Sequence, residues 1–315
     1  MIPYIHIPEA HIGPLPIHPF GLLVATGVLL GTAMTTRRAR TLGWDVNKLN
    51  SFVTWMLISA FLLSHVLDSL FYHWDEVVKS PLYIIKFWEG LSSFGGFVGA
   101  AVGIGLWRYL VIEEGRLRVR PKPQPLLPFA DLVLSCLPIG WMFGRAGCAS
   151  VHDHPGARAA ADTLVAVAYP THTGVWPPPA SDGVITKLGF IDLLHGHEPR
   201  FDMGLLEFFF TVILATCFAL TWHKRPPIGS YAIATALAYA PVRFAMDFLR
   251  NPASENGDPR YAGLTPAQYG CIGLFLVGIW LIFYVRSLRA RHIDLSLSVR
   301  APPPEPEGAA PATVA

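Results

Sequence analysis

Three charged residues close an apolar stretch of this chain at a spacing suited to anion chemistry. Pro241-Val-Arg243-Phe-Ala-Met-Asp247-Phe-Leu-Arg250 ends a hydrophobic run that begins near Ile228. Arg243, Asp247 and Arg250 stand at i, i+4 and i+7, which puts them on one helix face. Ionisable groups at the end of an apolar span are costly, and they face a protein interior or a wet cavity that uses them. Two guanidiniums around one carboxylate leave positive charge over, and the arginine fork matches a phosphate.

Two glycine-rich segments carry further signals. Gly140-Trp-Met-Phe-Gly144-Arg145-Ala-Gly147-Cys148 closes another apolar run. Gly140 and Gly144 have the spacing that lets a second backbone approach closely in a membrane. The Gly144-Arg145-Ala146-Gly147 sequence reads as a turn just past the span, because glycine permits bends that other residues resist. Arg145 on its own reads equally well as an interfacial anchor. Ser92-Ser93-Phe94-Gly95-Gly96-Phe97-Val98-Gly99 opens a third run. Its adjacent glycines leave helix N–H groups unshielded, as an anion seat requires, although tight helix packing would use them too.

The elements that must position these residues are membrane spans. Of 315 residues, 52% are hydrophobic and 15% are charged, and the mean hydropathy is +0.41. A soluble domain carries about 25% charged residues, so lipid is the solvent expected here. About seven spans are predicted, over 19–36, 52–72, 94–112, 126–144, 204–222, 228–249 and 265–285, each near the roughly 20 residues a bilayer requires. The fold class expected is therefore all-α and polytopic. Segments 37–51, 108–125, 223–227 and 286–300 hold 15 of the 24 Lys and Arg residues, against 7 in the segments between the other span ends. That bias places the N-terminus outside and the C-terminus inside. Residues 1–292 read as one membrane-embedded domain with an outer loop over 145–203. Residues 293–315 read as a cytoplasmic tail, disordered from about 301, where Ala-Pro-Pro-Pro-Glu-Pro begins.

Several function classes are excluded or weakened. A net charge of +2 with no basic run among aromatics gives no nucleic-acid partner. The N-terminus has no positive charge ahead of its first apolar run, so a cleavable signal peptide is not expected. Cys136, Cys148, Cys217 and Cys271 have no CxxC spacing, and no compact His/Cys/Asp cluster at zinc spacing is visible, so no metal and no cofactor are expected. A transporter remains open, since intramembrane charge pairs occur there too. The absence of a visible internal repeat weakens it.

Together these segments resemble the prolipoprotein diacylglyceryl transferase family of bacterial inner-membrane enzymes, over most of residues 18–285. Gly144-Arg145-Ala146-Gly147 matches the family's Gly-Arg-x-Gly, and Asp153 and Gly156 stand where it has Glu and Gly. Tyr239, Arg243, Asp247 and Arg250 reproduce its Tyr-x-x-x-Arg-x-x-x-Glu-x-x-Arg, with Asp for Glu. Leu264-Thr265-Pro266-Ala267-Gln268 is similar to the opening of its last span, and Asp131, Glu207 and Arg37-Arg38 match in residue type. The departures are equally specific. The family's His-Gly-Gly is Phe94-Gly95-Gly96, its next Asn is Cys148, and its Asn-Gly is Val151-His152. A first-span Tyr is Val24, Gly-Ala-Arg is Leu63-Ser64-His65, and His-Pro-x-Gln-Leu-Tyr-Glu is reduced to the segment ending in Glu207.

The resemblance implies transfer of the diacylglyceryl group of phosphatidylglycerol to the lipobox cysteine of a prolipoprotein signal peptide, with glycerol phosphate leaving. Arg145 and Arg243 would hold the phosphate, Asp247 would orient Arg243, and Tyr239 and Arg250 would support the cluster. Gly95, Gly96, Gly144, Gly147, Gly156 and Glu207 would line the substrate. With Phe94 in the histidine's place, the proton acceptor is sought among His152, Asp153 and His154, with His65 as a further candidate. Cys148 reads either as a reactive thiol or as a small residue in place of Asn. A paralogue that binds or modifies anionic phospholipid without thiol transfer is the alternative.

Overall fold

The computed structural model describes residues 1–13, 15–87, 90–172, 176–251 and 260–301. The predicted disordered tail, apart from residue 301, lies outside the described residues, as do the side chains of Ser93 and Phe94. The helices are α1 (Pro19–Thr41), α2 (Val46–Tyr72), α3 (Trp74–Lys79), α4 (Ser93–Tyr109), α5 (Leu126–Val151), α6 (Met203–Thr221), α7 (Ser230–Met246) and α8 (Pro266–Ala290). Among the described residues six helical segments are long and apolar enough to cross a membrane: α1, α2, α5, α8, α6 continued to Lys224, and α7 continued through a 3₁₀ turn to Leu249. The predicted third span becomes α4, 17 residues followed directly by strand. At 1.5 Å per residue it is about 26 Å long, just short of a hydrocarbon core of about 30 Å.

The all-α expectation is corrected by ten strands among the described residues: β1 (Ile2–His6), β2 (Ala10–Ile12), β3 (Leu15–Ile17), β4 (Leu110–Glu113), β5 (Arg116–Val119), β6 (Pro155–Arg158), β7 (Val167–Tyr169), β8 (Gly183–Leu188), β9 (Ile191–Gly196) and β10 (Glu198–Asp202). The chain is a predominantly helical, polytopic membrane protein that also carries sheets. Six strands form one sheet in the order β6-β10-β7-β1-β9-β8, while β2-β3 and β4-β5 are hairpins. Strand β1 runs parallel to β7, with Ile2 opposite Val167, and antiparallel to β9, with Tyr4 opposite Leu194.

The chain divides into two compact units. One comprises Met1–Thr35 and Asp131–Ile293, the other Thr36–Ala130 and Asp294–Ala315. In the second unit α2 starts at an Asp45 cap whose carboxylate accepts from the backbone N–H of Asn47 and Lys48, both at 3.0 Å. Helix α2 packs on α4, and Phe52, Trp107 and Phe129 form an aromatic core there. His65 is fully buried, with Nδ1 2.8 Å from the Gly90 carbonyl and Nε2 3.2 Å from the Tyr83 carbonyl. It ties the residues around 83 and 90 to α2, which accounts for a histidine inside a span.

The first unit holds the large sheet and the spans that carry the arginines. Helices α1 and α5 meet at glycines: a Cβ on Gly27 would lie 2.5 Å from the Gly140 carbonyl oxygen. That contact leaves no room for a side chain, as small-residue packing in membranes requires. Gly27→Val is expected to destabilise the protein by about 1–3 kcal/mol through overpacking, read as a lower midpoint of thermal unfolding in detergent. An unchanged midpoint would remove the close approach. Helix α5 in turn sets α7, because Asp131 accepts from the Ala232 N–H at 2.8 Å in the first turn of α7.

Candidate active site

The Gly144-to-Cys148 segment is helical. Helix α5 runs on to Val151, so Arg145 projects from a helix rather than from the turn expected after residue 144. Hydropathy falls at the arginine, but nothing there breaks the helix. The break comes at His152, whose left-handed φ of 50° reverses the chain. A Cβ on Gly144 would meet no heavy atom within 4 Å, whereas one on Gly147 would lie 3.0 Å from the Phe20 ring.

Helix α7 ends sooner than a seven-residue spacing on one helix face would need. It stops at Met246 and tightens into a 3₁₀ turn over Asp247–Leu249, after which Arg250 is extended. Asp247 nevertheless meets both arginines: Arg243 Nη1 at 2.9 Å and Arg250 Nε at 3.4 Å. Its second oxygen accepts from the Thr265 hydroxyl. Thr265 also caps α8 in a reciprocal box with Gln268, and the Gln268 amide donates to the Phe244 carbonyl at 3.2 Å. The start of α8 thus clamps the end of α7 around a carboxylate that has no solvent exposure.

Glu207 of α6 is the joint of the site. Its Oε1 accepts from Tyr239 OH at 2.7 Å and pairs with Arg145 Nη2 at 3.1 Å, while its Oε2 lies 3.9 Å from Arg243 Nε. One buried carboxylate therefore ties α5, α6 and α7 together. Trp141 packs against the Tyr239 ring at 4.8 Å between centroids. The arginines keep partial exposure, 24% for the Arg145 side chain and 14% for that of Arg243. Three guanidiniums around two carboxylates leave one formal positive charge, enough to hold a phosphodiester by charge-assisted, forked hydrogen bonds. The resemblance offered Glu207 as a substrate-lining residue rather than as the partner of two arginines, and the sequence gave Thr265 no contact with Asp247.

Gly156 stands against the same corner. A Cβ there would lie 2.6 Å from the Leu249 carbonyl oxygen, and Gly156 bridges the Arg250 backbone. Its place is to let β6 lie on the strand-like residue that carries the second arginine of α7's end. Gly95 and Gly96 belong to the other unit. There Gly95 packs on the α2 backbone, with a virtual Cβ 2.6 Å from the Leu63 carbonyl oxygen, and its N–H donates to the Ser92 cap at 3.3 Å.

The acid–base candidates separate. His152 is buried with Nδ1 2.5 Å from Asp202 and Nε2 2.9 Å from the Ile5 carbonyl, and its ring stacks on Tyr4 at 3.8 Å. Both ring nitrogens face acceptors, so this histidine is committed to holding β1 and the entry to α6. Asp202 also accepts from Tyr169 OH at 2.9 Å and caps α6 through the Leu205 N–H at 2.9 Å. Burial, then the Asp202 charge, pushes the Tyr169 hydroxyl well above the usual phenol range. Asp153 and His154 pair with each other at 2.5 Å and remain partly exposed. With Cys148 they form a group the sequence did not predict, their ligand atoms all lying within 4.8 Å of one another. A second dyad missing from the sequence reading is His172, with Nδ1 2.8 Å from the buried Asp182 carboxylate. His172, His6, Trp176, Arg200 and Asn251 line part of a cavity of about 1000 Å³ among the sheet loops and helix ends.

The chain is similar to known proteins over most of its length. A sequence model of the prolipoprotein diacylglyceryl transferase family matches residues 9–284. The phosphatidylglycerol–prolipoprotein diacylglyceryl transferase of Acinetobacter baumannii strain ATCC 17978 is 24% identical over 278 residues, covering 87% of this chain and 90% of the relative. The protein of the same name from Nitratidesulfovibrio vulgaris is 28% identical over 277 residues, covering 86% and 90%. The matched stretch includes both α5 and α7 with their arginines, and extends over most of the sequence. The chain belongs to the prolipoprotein diacylglyceryl transferase family.

Proposed function

We infer that this protein transfers the diacylglyceryl group of phosphatidylglycerol to the thiol of a prolipoprotein's lipobox cysteine, forming a thioether and releasing glycerol phosphate. The observation that carries this reading is the network of Arg145, Glu207, Tyr239, Arg243, Asp247 and Arg250, whose three guanidiniums and two carboxylates leave one positive charge in excess. In the reaction the cysteine sulfur attacks the glyceryl carbon, and the carbon–oxygen bond to phosphate breaks. Negative charge grows on the departing phosphate. Donors fixed in advance by Glu207 and Asp247 stabilise that charge without having to reorganise. Tyr239 anchors Glu207, and Arg250 adds charge on the far side of Asp247. His152 holds the loop, which leaves Asp153 and His154, beside Cys148, to face the acceptor thiol.

The protein is read as a multi-pass enzyme of the bacterial inner membrane, with seven spans, an outer N-terminus and an inner C-terminus. The Lys and Arg bias supports that orientation. The large sheet then lies on the outer side, where a prolipoprotein presents its cysteine. The short α4 is accommodated if the bilayer thins locally around it.

The test is complementation of a strain depleted of its own diacylglyceryl transferase, scored by lipid attachment to a reporter prolipoprotein. Restored modification by the inserted protein is expected. A well-inserted protein that restores none would instead support the phospholipid-binding reading, which the replacement of the family histidine by Phe94 favours.

A further inference from the structure

The turn after α5 gathers donors of a kind that no other part of the site uses. Cys148 sits in the last turn of α5, buried, with Arg145 Nη1 3.9 Å from its sulfur. Two things fold the following residues back on it. His152 takes the left-handed conformation that reverses the chain, and its ring is pinned by Asp202, Ile5 and Tyr4. The Met203 N–H then holds the His154 carbonyl at 3.1 Å, with α6 beginning against Cys148, where a Cβ on Gly204 would lie 2.9 Å from the Cys148 Cβ. Asp153 and His154 are thereby set beside the thiol, with one ligand atom from each of the three residues inside a 4.8 Å span.

Thiolate, imidazole and carboxylate together are a transition-metal donor set, and zinc accepts all three. Ligand atoms about 2.0–2.3 Å from a tetrahedral zinc stand roughly 3.5 Å apart. Seating an ion therefore needs shifts of about 1 Å, drawing the wider pairs in and opening the 2.5 Å Asp153–His154 contact, which two side chains that are each 37% exposed can make. Three protein ligands are the number that leaves a tetrahedral ion one open position, as catalytic zinc sites do. Asp153 and His154 are partly exposed, so water and ions reach the turn.

We propose that Cys148, Asp153 and His154 hold a zinc-like divalent cation whose fourth position receives the thiolate of the acceptor cysteine. The proposal rests on the transferase reading and names what that site does with its nucleophile. A thiol coordinated to zinc gives up its proton, which supplies the activation for which this chain has no histidine at position 94. The metal-held sulfur forms its bond to the glyceryl carbon as the carbon–oxygen bond breaks. The bonding pair leaves on the phosphate, and the displaced thiol proton ends on the released glycerol phosphate. The thioether formed is a weaker ligand and departs. Arg145 meets Cys148 through Nη1 and Glu207 through Nη2, so one guanidinium links the metal ligands to the carboxylate that joins the arginine network.

The experiment is a titration of the purified full-length protein in detergent with cobalt(II), following the thiolate-to-cobalt absorbance band, with folding checked by circular dichroism. One saturable equivalent is expected. The band should vanish in Cys148→Ser, and affinity should fall in Asp153→Asn and His154→Ala by at least the roughly 10–100-fold that lesser partners of a metal site cost. A lipobox peptide ending at its cysteine should shift the spectrum, and its serine counterpart should not. Absence of saturable binding to folded protein, binding unchanged in Cys148→Ser, or identical spectra with the two peptides would each overturn the proposal. The titration needs no turnover, so it is decided separately from complementation: Arg243→Met should lose transfer while keeping the cobalt band.

Discussion

Replacing Arg243 with Met should lower lipid attachment to a reporter prolipoprotein by about 100- to 1000-fold, the loss expected when one preorganised charge donor is removed from a transition state. Methionine keeps much of the aliphatic volume, so the substitution changes charge far more than size. What disappears is a guanidinium that reaches Glu207 through Nε and Asp247 through Nη1 at once. Lysine has one nitrogen and cannot make both contacts, so Arg243→Lys should restore only a small part of the activity. The change also leaves two buried carboxylates short of a partner, and breaking a buried pair typically costs about 3–5 kcal/mol. Activity must therefore be normalised to the amount of inserted protein. Arg243→Met combined with Glu207→Gln separates the two effects. Removing the uncompensated charge should recover insertion, while transfer stays lost. Near-normal transfer by Arg243→Met would remove the phosphate-holding role of this network.

How much of this was legible in the sequence depends on the distance over which each feature is built. The arginines on α5 and α7 stood out because charge at the end of an apolar run is expensive whatever the fold. Their shared partner Glu207 did not, since nothing local to α6 marks which of its faces meets α5 and α7. The sheet was missed for the same reason. Its strands are three to six residues long within a Pro-, Gly- and His-rich loop, and β1 comes from the N-terminus, pairing with residues more than 160 positions away. Alternation over so few residues cannot be told from an irregular loop. The end of α5 was read too early because hydropathy reports the solvent and not the helix. The chain stays helical past Arg145 until His152 reverses it. That reversal is also why Cys148, Asp153 and His154, each singled out separately in the sequence, do not read there as one group: their spacing matches no recurring metal motif, and only the turn brings them together.

Asp202→Ala should be strongly destabilising where the six-stranded sheet meets α6, by about 3–7 kcal/mol. Asp202 is 1% exposed and serves three donors. Losing the cap of α6 costs about 1 kcal/mol. Tyr169 and His152 each lose their acceptor at a buried position, at about 1–3 kcal/mol apiece. Asp202→Asn keeps one oxygen for the Leu205 N–H and sets an amide NH2 where the second oxygen took Tyr169 and His152, so it should fall between alanine and the parent. Tyr169→Phe, which removes one donor together with its need for an acceptor, should cost only about 1 kcal/mol. Thermal unfolding in detergent gives this order directly, and the parent, Tyr169→Phe, Asp202→Asn and Asp202→Ala should melt at successively lower temperatures. Function should follow by a path the arginine variants do not take. Asp202 sits five residues before Glu207, at the start of the same helix, and it fixes His152, on which the turn carrying Asp153 and His154 depends. Its loss should therefore weaken transfer and cobalt binding together, where Arg243→Met affects transfer alone. An Asp202→Ala protein that melted at the parent's temperature would show that the sheet and α6 are held by something other than this carboxylate.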